Sequence, residues 1–132
     1  MTIKFARWLA YPGGVLAPLA ETIRRWSTWH DNPSALFDDY IIGALLIYGA
    51  WRVGKNAREG QRFLVAAWGF ACGMGYASFF GQLYSNSRGI VDPAPISGYS
   101  VGIVKGVAFS LAVLALIASL RPLPPERSIS DR

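Results

Sequence analysis

Lys105 is the residue of this chain whose chemistry is most out of place. It lies about eight residues into the apolar stretch from Gly98 to Leu120, roughly 12 Å along by helical rise. An ionisable group inside a membrane span is costly, and it marks a functional site whose partner has to be named. Asp38 and Asp39 open another apolar stretch, and the topology derived below puts them on the same side as Lys105. One of the two is expected to pair with Lys105, with Gln82, Tyr40 and Tyr99 as neighbouring hydrogen-bonding groups. Successive helical residues point about 100° apart, so one Lys does not reach both carboxylates. Such a pair would fix helix register. The alternatives are that Lys105 snorkels to the headgroups while the aspartates face water, or that it contacts another subunit or an anionic ligand.

A second charged group is Arg52, Lys55, Arg58 and Arg62, crowded around one acid, Glu59. Basic residues between spans mark the cytoplasmic side, and a lipid-headgroup contact suits them as well. They also explain the formal net charge of +5 without nucleic acid, since no soluble basic domain surrounds them. The signs of catalysis are missing. His30 is the single histidine, and beside Asp31 it reads as a surface or capping residue. Cys72 is the single cysteine and reads as a small buried hydrophobe; alone it excludes an internal disulfide and a cysteine-rich metal site. No Ser-His-Asp set, glycine-rich phosphate loop or acidic metal cluster is present. No catalytic residue, metal or cofactor is therefore expected, though a bound lipid or pigment would fit.

Small residues form two ladders at four-residue spacing: Gly69, Gly73, Ala77, Gly81 and then Gly98, Gly102, Gly106, Ser110. Each ladder is expected to occupy one helical face. In lipid, helices associate through close backbone approach at small residues, so these faces should pack on each other or on a partner.

The elements that hold these groups follow from pattern. The 132 residues allow one domain. Half the chain is apolar (52%), and five Trp with six Tyr suit rings at headgroup level. The fold expected is an all-α membrane protein with three transmembrane helices preceded by an interfacial amphipathic helix. Residues 1–34 form the N-terminal segment. Lys4 and Arg7 precede an apolar run that Pro12, Gly13, Gly14 and Pro18 interrupt, a poor match to a cleaved signal and too short to span. From Val15 to His30, Leu16, Leu19, Ile23 and Trp26 share a stripe, as in a helix lying in the interface with Trp26 and Trp29 as anchors; packing on a protein partner is the alternative. Asp31 to Ser34 reads as a turn and helix start.

The transmembrane domain then covers 35–121, with spans over about 35–53, 63–84 and 97–120, and 122–132 forms a flexible polar tail. The uncharged centre of the first span, Tyr40 to Trp51, covers only ~18 Å of a ~30 Å hydrocarbon core, so Asp38, Asp39 and Arg52 lie near its boundaries. With the basic residues inside, the topology is N-terminus outside and C-terminus cytoplasmic, in a bacterial inner membrane.

In size and in its amphipathic N-terminal helix the chain resembles small three-span lipid kinases. The resemblance is architectural only, because their intramembrane Glu and Asn have no counterpart here. The expected role is a structural or accessory subunit of a larger membrane protein complex. The alternatives are a homo-oligomeric channel or small transporter, and then a small lipid-modifying membrane enzyme. Expected partners are membrane lipids and other membrane protein subunits or further copies of the chain, with no nucleic acid.

Overall fold

Three local signals start the last three helices of the computed structural model, which describes residues 2–27, 30 and 33–124. Pro33 sits at the first position of α2 (Pro33–Lys55), where its missing N–H costs nothing. Asn56 caps α3 (Ala57–Ser87), its Oδ1 accepting from the Arg58 and Glu59 amides at 3.0 and 3.3 Å. Ser97 caps α4 (Gly98–Leu120), accepting from the Ser100 amide at 3.2 Å. α3 ends where Gly89 takes a φ of 67°, and the amides of Gly89 and Ile90 return to the Asn86 and Ser85 carbonyls. A glycine suits this left-handed terminus because it has no Cβ to clash.

α1 (Ile3–Arg25) is one continuous helix through Pro12 and Pro18. The expected helix over Val15–His30 is thus corrected: it begins twelve residues earlier and ends at Arg25, and Trp29 lies outside the described residues. Tertiary packing overrides the prolines. Ala6, Ala10 and Gly14 form a buried small-residue face, and the Gly14 and Gly43 backbones meet so closely that a Cβ on Gly14 would lie 2.8 Å from the Gly43 carbonyl oxygen. The apolar stripe Leu16, Leu19, Ile23 and Trp26 stays exposed.

α1 therefore lies lengthwise on α2 and antiparallel to it. Arg7 packs against Gly54 at one end, and Thr22 hydrogen-bonds Tyr40 at 3.0 Å near the other. The N-terminus consequently stands beside the α2–α3 connection. The end of α4 joins it there, since Gln61 donates to the carbonyls of Ser119 and Arg121 at 2.7 and 2.8 Å. Both ends of the described chain share one end of the molecule, which corrects the expectation of an N-terminus opposite the C-terminus.

The helices form a ring in which each packs on the next and α4 returns to α1, while α2 and α4 make no contact among the described residues. Alanines dominate the core: Ala6, Ala10, Ala50, Ala67, Ala115 and Ala118 surround Leu64 and Trp68. Small side chains bring backbones close, as helix packing in lipid requires. Trp68 ties α3 to α1 by donating its Nε1–H to the Ala6 carbonyl at 3.2 Å.

Among the described residues two helices, α3 and α4, are long and apolar enough to cross a membrane, not three. α2 differs because Asp38, Asp39, Arg52 and Lys55 lie within it. α3 also overruns the expected 63–84 at both ends, because the Asn56 cap lets Arg58, Glu59 and Arg62, all able helix formers, join its first turns. The basic residues thus form no loop: Arg52 and Lys55 close α2, Arg58 and Arg62 open α3, and only Asn56 stands between. Of the expected polar tail, 125–132 lie outside the described residues.

Candidate functional site: a charged-mouthed chamber

The four helices surround a half-open cavity of about 860 Å³. All four helices and the α3–α4 connection (88–97) line it. Leu46, Trp68, Ala71, Phe109 and Ala112 make an apolar floor. Around the mouth stand Glu21, Arg24 and Arg25 of α1, Asp38 and Asp39 of α2, Asp92 of the connection and Lys105 of α4.

Part of this charge is neutralised internally. Arg24 reaches Asp92 with Nη2 and Nε, at 2.8 and 3.0 Å, and Glu21 with Nη1 at 3.1 Å. Arg25 pairs with the same Glu21 carboxylate. Asp92 is only 3% exposed and also accepts from the Ala94 amide at 2.9 Å. The Arg24 hydrogen bonds outweigh the effect of burial and hold the Asp92 carboxyl down at about 2.

The expected ion pair between Lys105 and an aspartate is not what forms. Lys105 Nζ donates instead to Gln82 Oε1 at 3.1 Å, and neither Asp38 nor Asp39 belongs to an ion pair among the described residues. The cause is topological. Lys105 is on α4 and reaches its neighbour α3, whereas the aspartates are on α2, across the chamber. Gln82 is 4% exposed and is the centre of a polar junction. Its Nε2 donates to Asn86 Oδ1 at 3.2 Å and to the Gly98 carbonyl at 3.5 Å, and Asn86 Nδ2 donates to that same carbonyl at 3.0 Å. Of the other expected neighbours, Tyr40 bonds Thr22, and Tyr99 is exposed.

The ladders divide. A four-residue step turns a helix through about 400°, so successive rungs drift by about 40° and do not keep one face. Gly69, Gly73 and Gly81 would each carry a Cβ with nothing within 4 Å. Ala77 and Gly81 line the chamber, while Gly69 and Gly73 are exposed outside it. On α4, Gly98 and Gly102 face Gln82 and Asn86, and Gly106 faces Phe79 at 3.0 Å. Ser110 is exposed, its hydroxyl donating to the Gly106 carbonyl. The two ladders do not pack on each other. The close crossings lie elsewhere, at Gly14, Gly43 and Gly49.

At the opposite end Arg52 stands 3.7 Å from Glu59, and Arg52 and Arg62 both lie over the Phe63 ring, at 5.2 and 4.9 Å. Among the described residues no group of His, Cys, Asp and Glu could hold a metal ion.

No known protein family, curated protein or solved structure matches this chain. Fold and site define its class as an all-helical protein with two helices apolar enough to cross a membrane, built around a chamber whose floor is apolar and whose mouth is charged.

Proposed function

We propose that this chain is a small integral membrane protein acting as a structural or accessory subunit of a larger membrane complex, and that the outer face of α3 receives the partner helix. The observation that carries this reading is the notch at Gly69 and Gly73, where no atom lies within 4 Å of an added Cβ. Beyond it Tyr76, Phe80 and Tyr84 continue the exposed face. Small residues admit a close helix crossing, and the aromatics supply contact area beside it.

A membrane setting accounts for the exposed apolar surface of α4, where Ile103, Val107 and Ile117 are 68%, 56% and 48% exposed. That pattern suits lipid-facing helices better than the core of a soluble protein. The bundle axis then crosses the membrane with α1 and α2 inside the assembly. Among the described residues Lys4, Arg7, Arg52, Lys55, Arg58, Arg62 and Arg121, with Glu59 as the one acid beside them, make one end basic, and on the positive-inside rule that end is assigned to the cytoplasm.

Native mass spectrometry of the protein extracted from its own membrane tests the assignment. Different, larger subunits at fixed stoichiometry are expected, and Gly73→Leu should remove them while the monomer stays folded. A clean homo-oligomer would replace this reading with the channel or small transporter, which the chamber itself favours.

A further inference from the structure

The chamber calls for a ligand whatever the outer face of α3 binds. Among the described residues Arg24 and Arg25 are matched by Glu21 and Asp92, while Asp38, Asp39 and Lys105, which also line the chamber, belong to no ion pair. They are opposite in sign and stand on helices that do not touch. Lys105 gives one N–H to Gln82, and an ammonium has three to give. Directly below these charges lies the apolar floor at Trp68 and Phe109. The volume, about 860 Å³, falls in the range of roughly 300–1,000 Å³ typical of ligand sites.

We infer that the chamber binds one zwitterionic amphiphile, a phospholipid-class molecule with both a phosphate and an ammonium. Its phosphate sits at Lys105, its ammonium at one of the two carboxylates, Asp38 or Asp39, and an aliphatic chain lies on the floor. A purely anionic headgroup would meet two unpaired carboxylates, and a purely cationic one would meet Lys105. The order of charged mouth and apolar floor also matches a lipid standing in the leaflet away from the basic end.

The test is native mass spectrometry of the full chain reconstituted in equal parts ethanolamine phospholipid and phosphatidylglycerol, then stripped with mild detergent. The wild type should retain one ethanolamine lipid in preference to phosphatidylglycerol by about tenfold. The Asp38→Asn/Asp39→Asn variant should lose that preference. Because this change could disturb folding, Gly81→Leu provides a second variant. Gly81 lines the chamber with nothing within 4 Å of its Cβ position, so a side chain can leave the backbone there freely, and leucine should fill the site and expel the lipid from a folded protein. A single-chain ethanolamine lysolipid separates the source: retention of the two-chain form alone assigns the site to a bilayer lipid, and equal retention assigns it to a single-chain amphiphile of the same headgroup. Equal retention of phosphatidylglycerol, or a Gly81→Leu protein that keeps its ethanolamine lipid, would overturn the inference. Gly73→Leu, which points away from the chamber, should leave lipid retention unchanged, so failure of the partner-docking reading and failure of this one are distinguishable.

Discussion

Arg24 and Asp92, 68 residues apart, meet in a two-pronged ion pair at 2.8 and 3.0 Å that closes the last turn of α1 onto the α3–α4 connection. Both partners are largely buried, at 17% and 3% exposure, so water screens the pair less than it would a surface salt bridge. The Asp92 carboxyl falls from its usual 3.8 to about 2. A folded-state value below the unfolded one adds stability at neutral pH, about 2 kcal/mol for a shift of this size. The contribution is complete above about pH 5 and is lost as the pH drops through 4 towards 2. Asp92→Asn should therefore unfold more easily by about 2 kcal/mol at pH 7 and match the wild type near pH 2. Circular-dichroism unfolding in mild detergent at both pH values checks this. A deficit that persists undiminished at the lower pH would assign the effect to packing.

The junction at Gln82 gives a second prediction. Gln82 makes bonds to Asn86, Gly98 and Lys105 while almost wholly buried. Gln82→Leu strands Lys105 and removes two links between α3 and α4, at a cost of about 2–3 kcal/mol. Lys105→Met leaves the Gln82–Asn86–Gly98 bonds in place and should cost under about 1 kcal/mol. Assembly and melting temperature of the two variants decide the matter. If Lys105→Met is the more damaging, the charge holds the helices together and the amide does not.

The crossing of α1 and α2 gives a third. At Gly14 a Cβ would come 2.7 Å from Ile47 Cγ1 and 2.8 Å from the Gly43 oxygen, so Gly14→Ala must push the helices apart, at about 1–3 kcal/mol. Gly69→Ala, in open space, should be neutral or slightly stabilising, since alanine is the better helix former. A thermal scan of both variants tests this. Equal melting temperatures would show that the helices separate freely.

The helices were largely legible from sequence, and their neighbours were not. Proline at position 33 and the long apolar runs of α3 and α4 announce themselves locally. Gly14 reads as a breaker because Pro12 and Gly13 precede it, and only the presence of Gly43 on another helix makes it a packing residue. The ladder at Gly69 to Gly81 misleads for the opposite reason: even spacing suggests one face, but the drift of about 40° per rung turns its upper half outward and its lower half into the chamber. The residues of the mouth were visible singly, as Asp38, Asp39 and Lys105. Which acid meets which base depends on the ring order of the helices, a non-local property. Nothing near Arg24 in the sequence points to Asp92.

The antiparallel seat of α1 leads to the last prediction, which concerns sidedness. Arg7 packs against Gly54, so residue 2 and residue 56 lie at the same end, with Asp92 at the other. A helix lying flat in the interface could leave its N-terminus on the outer side, whereas a helix packed lengthwise on α2 cannot. With Cys72 first replaced by Ser, single cysteines at Thr2, Asn56 and Asp92 can be labelled with a membrane-impermeant maleimide in oriented vesicles. Thr2→Cys and Asn56→Cys should react from the same side, and Asp92→Cys from the opposite one. In the proposed orientation the shared side is the cytoplasmic one, since Lys4, Arg7, Arg52, Lys55, Arg58 and Arg62 then add to one asymmetry. Reaction of Thr2→Cys together with Asp92→Cys would detach α1 from α2 and return it to the outer interface. Removing the asymmetry makes the same point from the other direction. Arg58→Gln/Arg62→Gln alone should leave the orientation intact, since Lys4, Arg7, Arg52 and Lys55 remain, and adding Lys4→Gln/Arg7→Gln should produce mixed orientations. If the first pair already scrambles the labelling, the N-terminal basic residues do not share that end.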